Sequence, residues 1–427
     1  MSDAVIHRPS PVPAADDEHH PLHLWQRGER VRGTPILTSG LGVLVAVALV
    51  GVALAALRIV NGALGTFSGM SDFYAWGIWK TFNVMALTAL GSGGLAVGVA
   101  VWVFRRKELH SVMRTAVLTS LLLYFAGLVA LMTDVGRPWN FWHIAVPWHW
   151  NTRSALWEVS LAMPLYAAVF LLYEFSPTIA ERFAQSRSPR LRALVVKLRP
   201  RMRPLYPWMV AGAYVLPMVH QSSLGALMLL GGDKVCPLWQ SEMLPALYLL
   251  QAGICGFGAV IIFLMASCLV WRRPLDTRVI GELANLMSWL ILGWTAIRFM
   301  DLAVHGKLPL LFEPDRHAVL FVIENVMILV PALVLRSARM RDTPRIVFKL
   351  AVLATLGGLL YRFIPTTLAY VPGESFAYFP TVPEILVSFG LVAAVVAAFG
   401  VAVKVFAVLP APVDDWWART VPPRRRD

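Results

Sequence analysis

The stretch SALWEVSLAMPLYAAVFLLY (residues 154–173) and the stretch AVLFVIENVMILVPALVL (residues 318–335) decide the fold of this chain. Each is apolar and close to the roughly 20 residues that a helix needs to cross a hydrocarbon core of about 30 Å. Each also carries one glutamate, Glu158 or Glu324. An ionised carboxyl inside a bilayer is costly unless it is paired or faces a cavity, so both glutamates indicate function.

The composition places the whole chain in the membrane. Of 427 residues, 57% are hydrophobic and only 15% are charged, which is more apolar than an ordinary soluble domain. The sequence therefore predicts an all-α integral membrane protein of about ten transmembrane helices. The ten apolar runs lie at residues 37–59, 78–104, 115–133, 155–174, 207–230, 244–271, 280–300, 317–335, 346–364 and 384–409.

The net charge of +13 indicates topology and not a nucleic-acid partner. Each of the two tails has four Lys or Arg residues. The loops on the same side as the tails, at 105–114, 175–206, 272–279 and 336–345, have four, eight, three and four. The alternate loops have zero, two, one, two and zero. Cytoplasmic loops carry this excess, so we expect both termini on the cytoplasmic side.

The two glutamates occupy equivalent positions in a repeat. Asp134 precedes Glu158 by 24 residues, and Asp301 precedes Glu324 by 23. This spacing predicts two parallel four-helix repeats plus two C-terminal helices. The predicted division is a mobile tail (1–36), a first unit (37–174), a basic linker (175–206), a second unit (207–336), two additional helices (346–409) and a tail (410–427).

Polar residues concentrate toward the outer ends of the predicted helices. A rise of about 1.5 Å per residue places Asn83, His220, Arg298 and both glutamates in the outer half of the bilayer. A quinone headgroup needs such residues, because its carbonyl oxygens accept hydrogen bonds and its two-electron reduction consumes two protons. The alternative is that these groups only pair with each other, for example Arg298 with Asp301 or Glu324.

Helix seven carries a second polar pattern. Glu282, Asn285, Ser288, Thr295 and Arg298 form a slowly winding stripe from the cytoplasmic side toward the outer cluster. The stripe is either a proton route or a polar seam buried between helices. The sequence does not decide between the two.

The sequence offers few ligands for a redox cofactor. Its three cysteines, Cys236, Cys255 and Cys268, form no CxxC motif, so we expect no iron–sulfur cluster in this chain. A b-type haem needs two histidines at matched depth on facing helices, and His220 is the one histidine well inside a predicted helix. We therefore do not expect haem b.

Three further motifs carry a resemblance to a known family. WGIWKTFN (residues 76–83), DVGRPWNF (134–141) and HQSSLG (220–225) are specific strings, and the similarity extends over about residues 35–409. The chain resembles the HybB-like membrane subunit of hydrogenase-2-type complexes, within the NrfD/PsrC polysulfide-reductase membrane-subunit family.

The resemblance implies a haem-free, quinone-reactive subunit of the bacterial inner membrane. It implies partners as well: a periplasmic iron–sulfur electron-transfer subunit and nickel–iron hydrogenase subunits. The family's proton-transfer acid in the fourth helix matches Glu158, and its other motif residues match Trp76, Asp134 and His220.

Our interpretation is a membrane anchor that passes electrons from hydrogen to a membrane quinone, menaquinone or ubiquinone. The candidate residues for proton transfer are Glu158, Glu324 and Asp134; those for quinone binding are Trp76, Asn83, His220, Gln221, Arg298 and Asp301. Two alternatives stay open at this point. One is the corresponding subunit of another NrfD-type oxidoreductase that acts on sulfur or nitrite compounds; the other is a proton-coupled secondary transporter.

Overall fold

A computed structural model describes most of the chain. The described residues are 30–31, 35–61, 67–71, 74, 77–135, 137–373 and 378–409. Almost all of both predicted tails, and the candidate residue Trp76, lie outside them.

Ten long helices form the described structure. They are α1 (Ser39–Asn61), α2 (Lys80–Trp102), α3 (Lys107–Asp134), α4 (Trp157–Ala184), α5 (Tyr206–Leu229), α6 (Leu244–Val270), α7 (Thr277–Val304), α8 (Arg316–Leu335), α9 (Pro344–Leu368) and α10 (Val382–Val405). The described residues contain no β-strand, only an isolated bridge between Val235 and Tyr370. The predicted all-α membrane class is confirmed.

Helix α5 differs from the other long helices. Within the described residues, nine helices are long and apolar enough to cross a membrane, and α5 is not among them, although it has 24 residues. Its segment HQSS (residues 220–223) lowers the mean hydropathy. The structure therefore has a helix at the predicted run 207–230, but this helix is less apolar than the nine candidate membrane spans among the described residues.

The predicted linker at residues 175–206 is mostly helical. Helix α4 continues to Ala184, because Glu181 on this extension accepts two hydrogen bonds from Arg114 at the start of α3, at 2.6 and 2.8 Å. A further helix, Pro189–Met202, follows. Tyr173 of α4 donates a hydrogen bond of 2.7 Å to the carbonyl of Met202, which holds the end of this helix against α4.

The two C-terminal helices pack within the bundle. Helix α9 lies against α6, α8 and α2, and α10 lies against α1 and α3. The α1–α10 crossing is close because two glycines meet there: a Cβ added at Gly51 would lie 2.7 Å from the Cα of Gly390. These helices thus contact both predicted four-helix units, and the duplication itself stays a prediction.

The connections define two ends of the bundle. We call one the basic end; it holds the connections at 103–106, 185–205, 271–276 and 336–343. We call the other the low-charge end; it holds the described residues of the connections after α1, α3, α5, α7 and α9, namely 67–71, 74, 77–79, 135, 137–156, 230–243, 305–315, 369–373 and 378–381.

Three helices contain a π-helical segment in their half nearer the low-charge end. The segments are Trp79–Ala86 in α2, Tyr166–Leu171 in α4 and Ile364–Leu368 in α9. Proline explains two of them, because Pro164 precedes one and Pro365 lies in another. A proline donates no hydrogen bond and its ring clashes with the carbonyl four residues earlier, which a wider turn relieves. π-Helical turns often occur at functional sites.

Candidate functional site

A buried ion pair joins α7 to α8. The Arg298 guanidinium donates a hydrogen bond to Oε1 of Glu324, and Nε1 of Trp239 donates one of 2.7 Å to Oε2. Glu324 is completely buried and Arg298 is 3% exposed. The rings of Phe321 and Tyr361 lie 4.3 and 4.8 Å from the guanidinium carbon. Both carboxylate oxygens are occupied, so the cost of burying each charge is offset by its partner.

A second buried arginine, Arg362, lies in α9. It is completely buried and donates three hydrogen bonds: Nε to Oε1 of Gln251 at 2.6 Å, Nη2 to the carbonyl of Tyr248 at 2.9 Å and Nη1 to the carbonyl of Met85 at 3.1 Å. These bonds tie α9 to α6 and α2. The sequence analysis missed Arg362, although an arginine inside an apolar run gives the same signal as Glu158 and Glu324.

Two tyrosines connect the arginines. The ring of Tyr361 faces Arg298, the ring of Tyr248 lies 4.6 Å from the Arg362 guanidinium carbon, and the two ring centroids are 5.5 Å apart. Both tyrosines are completely buried or nearly so. Their hydroxyls have no hydrogen-bond partner among the described residues. The network across α6, α7, α8 and α9 is therefore continuous, and it retains unsatisfied polar atoms.

His220 and Gln221 occupy the polar segment of α5. Both are completely buried. Gln221 donates a hydrogen bond of 3.1 Å to the hydroxyl of Tyr124 in α3, and the rings of Tyr124 and His220 are 5.6 Å apart. Apart from an interaction with the backbone of Val159, the ring nitrogens of His220 have no hydrogen-bond partner in the described part of the chain.

Asn83 lies in α2, which packs against the same stretch of α3. It is completely buried in the π-helical segment of α2, and neither its amide nitrogen nor its oxygen bonds to a described residue. A Cβ added at Gly127 would lie 3.6 Å from the Asn83 carbonyl oxygen, so the two backbones are in contact. Gly127 is three residues after Tyr124, the neighbour of His220. Asn83 and His220 therefore approach α3 within one helical turn of each other.

Glu158 lies in the first turn of α4 and is exposed on the surface of this chain. Its Oε2 accepts a hydrogen bond from the hydroxyl of Ser223 in α5. Ser223 is buried and lies three residues after His220, on the same face of the helix. Ser223 thus links an exposed carboxylate to the surroundings of a buried imidazole.

The two candidate aspartates lie at the ends of α3 and α7 that face the low-charge end. Asp134 pairs with Lys80 at 3.3 Å, and Asp301 pairs with His305 at the same distance. Of the two acids considered as partners for Arg298 from the sequence, Glu324 forms the pair. Asp301 bonds one turn further along α7.

A buried glutamate holds the segments near the start of α2. Glu384, in the first turn of α10, accepts backbone hydrogen bonds from Thr381 at 2.7 Å and Gly69 at 3.2 Å. The Tyr378 hydroxyl donates to Glu384 at 3.1 Å and accepts from the Ile78 backbone at 2.7 Å, and burial raises the pKa of Tyr378. The sequence TVPE (residues 381–384) has the T-x-x-E form of a capping box, a signal that could have identified Glu384.

The site residues fall into three groups. The first is the Arg298–Glu324 pair. The second lies near Tyr124 and Gly127 of α3 and contains Asn83, His220 and Gln221. The third contains Asp134 and Asp301, which pair with Lys80 and His305 at the helix ends. Glu158 is connected to the second group through Ser223. The fold and these groups define an integral membrane subunit with a polar site buried in its transmembrane helices.

Comparison with known proteins identifies the family. The family model for polysulphide reductase, NrfD, matches residues 66–371, so this chain belongs to the NrfD family. It is 37% identical over 356 residues to the probable Ni/Fe-hydrogenase 2 b-type cytochrome subunit of Escherichia coli, covering 83% of this chain and 88% of that protein. The resemblance expected from the sequence motifs is confirmed.

More distant relatives are also membrane subunits. The chain is 26% identical over 337 residues to the integral membrane subunit of a menaquinone reductase from Nitratidesulfovibrio vulgaris, covering 74% of this chain and 77% of that protein. It is 23% identical over 372 residues to the integral membrane subunit of an Hdr-like menaquinol oxidoreductase from Archaeoglobus fulgidus, covering 80% of this chain and 87% of that protein. The chain is therefore a multi-pass membrane subunit of an oxidoreductase complex, and its bacterial relatives support the inner membrane as its location.

The name of the Escherichia coli relative raises the question of haem. Among the described histidines, His220 is buried well inside α5, and His110 is buried at the start of α3, near the basic end. His305 and His317 lie at helix ends and bond to Asp301 and Asp315. No facing histidine at the depth of His220 completes an axial pair in the described residues, so they do not fit a bis-histidine haem. Among the residues that the structure describes, no three His, Cys, Asp or Glu side chains are grouped so that they could hold a metal ion.

Proposed function

We propose that this chain is the quinone-reactive membrane subunit of a respiratory uptake hydrogenase. Electrons from hydrogen reach it through a periplasmic iron–sulfur partner, and the chain delivers them with protons to a membrane quinone. The nickel–iron subunits that oxidise hydrogen belong to the same complex. This chain itself works without haem or an iron–sulfur cluster.

The observation that carries the proposal is a pair of buried side chains: Asn83 bonds to no described residue, and His220 has only an interaction with the backbone of Val159. Buried polar groups are nearly always hydrogen-bonded, and exceptions inside an apolar span are expensive. The Asn83 amide and the His220 imidazole offer donors near the same turn of α3, whereas a quinone headgroup presents two carbonyl acceptors. A quinone bound between them satisfies both side chains, and Gln221 supports His220 through Tyr124.

Protons reach this site along a short route from the low-charge end. Glu158 is exposed, Ser223 bonds to it, and His220 lies one turn away on the same helix. An exposed carboxylate can exchange protons with the aqueous phase, and a neighbouring hydroxyl and imidazole can relay them. Glu324, by contrast, has both oxygens bonded, so we assign it to holding Arg298. Asp134 and Asp301 fix the outer helix ends.

Electrons enter from a partner that docks at the low-charge end. The 3-10 segments Pro138–Ala145 and Pro147–His149 lie there and leave Trp139, Trp142 and Trp148 between 56 and 83% exposed. Tryptophan is common both at membrane interfaces and in protein contacts. The low number of basic residues at this end supports a periplasmic location for it.

The test is purification of the intact complex from membranes, followed by two assays with hydrogen as the electron donor. Reduction of an artificial dye reports on the hydrogenase subunits, and reduction of a quinone reports on this chain. Replacing Glu158 with glutamine should lower quinone turnover about 10²-fold, the usual contribution of one proton-transfer group, and leave dye reduction intact. Loss of both activities would assign Glu158 a structural role.

The same purification addresses the other candidate functions. The names of the more distant relatives favour a subunit of a different quinone oxidoreductase as the second candidate. Copurification of nickel together with iron–sulfur clusters supports the hydrogenase complex. A redox partner without nickel supports the second candidate, and a lone chain that moves a solute would support a transporter.

A further inference from the structure

Arg362 differs from the buried arginines Arg298 and Arg114 in the charge of its partners. Arg298 pairs with Glu324, and Arg114 pairs with Glu181. Arg362 instead bonds to an amide oxygen and two backbone carbonyls, and no carboxylate of the described residues bonds to it. Its electrostatic neighbours are three tyrosines and a cysteine: Tyr248, Tyr361, Tyr124 and Cys255.

This arrangement leaves a positive charge in the interior. The Arg298–Glu324 pair is neutral as a unit, so it does not balance Arg362. A buried charge without a counter-charge is strongly unfavourable, and hydrogen bonds from neutral groups offset only part of that cost. A fold retains such a charge where a bound molecule supplies negative charge.

Arg362 lies near both side chains of the proposed quinone site. Its Nη1 bonds to the carbonyl of Met85, two residues after Asn83 in the same π-helical segment. It also lies within electrostatic range of His220. A guanidinium has five N–H donors, and three are used in the bonds described here. The charge therefore acts on the space that Asn83 and His220 border.

Quinone reduction creates negative charge at that place. A quinone takes up two electrons from the iron–sulfur partner and two protons through Glu158, and both carbonyl oxygens become hydroxyls. Whenever an electron arrives before its proton, a ring oxygen is negatively charged. A preorganised positive charge in a site without water stabilises such an oxygen strongly.

We propose that Arg362 is an electrostatic residue of the quinone site, which stabilises the anionic form of the ring between electron arrival and protonation. This inference rests on the proposed function. If Arg362 has this role, the site binds a negatively charged quinone-like ligand more tightly than a neutral one of the same shape.

The first test uses the wild-type complex with two naphthoquinones of similar size. The 2-hydroxy compound is ionised at neutral pH, and the 2-methyl compound is neutral. We expect the ionised compound to inhibit hydrogen-dependent quinone reduction at about a tenfold lower concentration than the neutral one requires. Equal inhibition would overturn the inference, even if quinone reduction itself proves robust.

The second test separates the charge of Arg362 from its hydrogen bonds. Arg362→Gln removes the charge. Arg362→Lys keeps the charge but loses the planar set of guanidinium N–H donors. We expect kcat for quinone to fall at least about tenfold in the glutamine variant and to recover largely in the lysine variant. The radical signal of the half-reduced quinone should follow the same order. Equal loss in both variants, or none in the glutamine variant, would contradict the proposed role.

A matched control is available at the basic end. Arg336 also bonds to neutral groups, Nη1 to Oδ1 of Asn285 at 2.9 Å, and it stacks 4.0 Å over Trp289. Arg336→Gln should leave the preference for the ionised naphthoquinone unchanged. If the wild-type complex does not reduce quinone with hydrogen at all, the proposed function fails; if it does and charge has no effect, only the role of Arg362 fails.

Discussion

Removal of one charge from the Arg298–Glu324 pair should destabilise the helix bundle, and quinone reduction should change only as a result of that lower stability. In Glu324→Gln, Arg298 keeps its charge, loses its counter-ion and remains buried beneath Phe321 and Tyr361. Breaking a buried pair in this way costs about 3–5 kcal/mol. With about 2–4 °C per kcal/mol for larger domains, the Tm of the purified complex should fall by about 6–20 °C.

The assay is thermal unfolding in detergent, followed by quinone reduction at a temperature where both proteins are folded. Arg298→Met removes the other charge, and the double variant removes both. Because two isosteric neutral groups avoid the stranded charge, the double variant should be more stable than Glu324→Gln alone. A Glu324→Gln variant with wild-type Tm but without quinone turnover would refute this reasoning and make Glu324 a proton carrier.

Three further predictions concern other parts of the site. Asn83→Leu should leave Tm unchanged or raise it, because the amide has no described partner, while the KM for quinone rises about tenfold; a lower Tm with unchanged KM would contradict the role in binding. Tyr378→Phe should cost about 1–3 kcal/mol through its lost bonds. Burial raises the pKa of Tyr378, so the folded protein favours the neutral hydroxyl. The stability that this hydroxyl contributes is therefore present below about pH 10 and is lost at higher pH. Unfolding measured from about pH 8 to 11 should show that loss in the wild type and not in the phenylalanine variant. Hydrogen-dependent quinone reduction in proteoliposomes should proceed without a response from a potential-sensitive dye.

The helices were predictable because hydrocarbon imposes a simple rule on composition. A segment that crosses the bilayer must satisfy its own backbone hydrogen bonds, so it is helical, long and apolar. The ten apolar runs in the sequence therefore coincide closely with the ten long helices. The continuation of α4 to Ala184 was missed, because that extension is stabilised by contacts such as Glu181 with Arg114 and not by hydropathy. The π-helical segments were missed because no residue pattern specifies them, although Pro164 and Pro365 mark two of the places.

The site was predictable to the extent that charge in a membrane needs a partner. That rule singled out Glu324 and offered it as one of two partners for Arg298. The same rule applies to Arg362, which lies inside the apolar run of α9. The contacts of Arg362 with Gln251 and the Met85 carbonyl follow from the packing of α9 between α6 and α2, which sequence spacing does not determine.

The side from which protons arrive decides whether turnover charges the membrane. Along the α7 stripe, Glu282 pairs with Arg106 at 3.3 Å and Ser288 donates a 2.8 Å hydrogen bond to the Ala332 carbonyl, as expected for a polar seam that holds helices together. Glu158, by contrast, is exposed at the low-charge end and linked through Ser223 toward His220. If hydrogen is oxidised at the same end, its protons are released and taken up on one side, and no charge crosses the bilayer. A dye response that scales with quinone turnover would place the proton route in α7 instead.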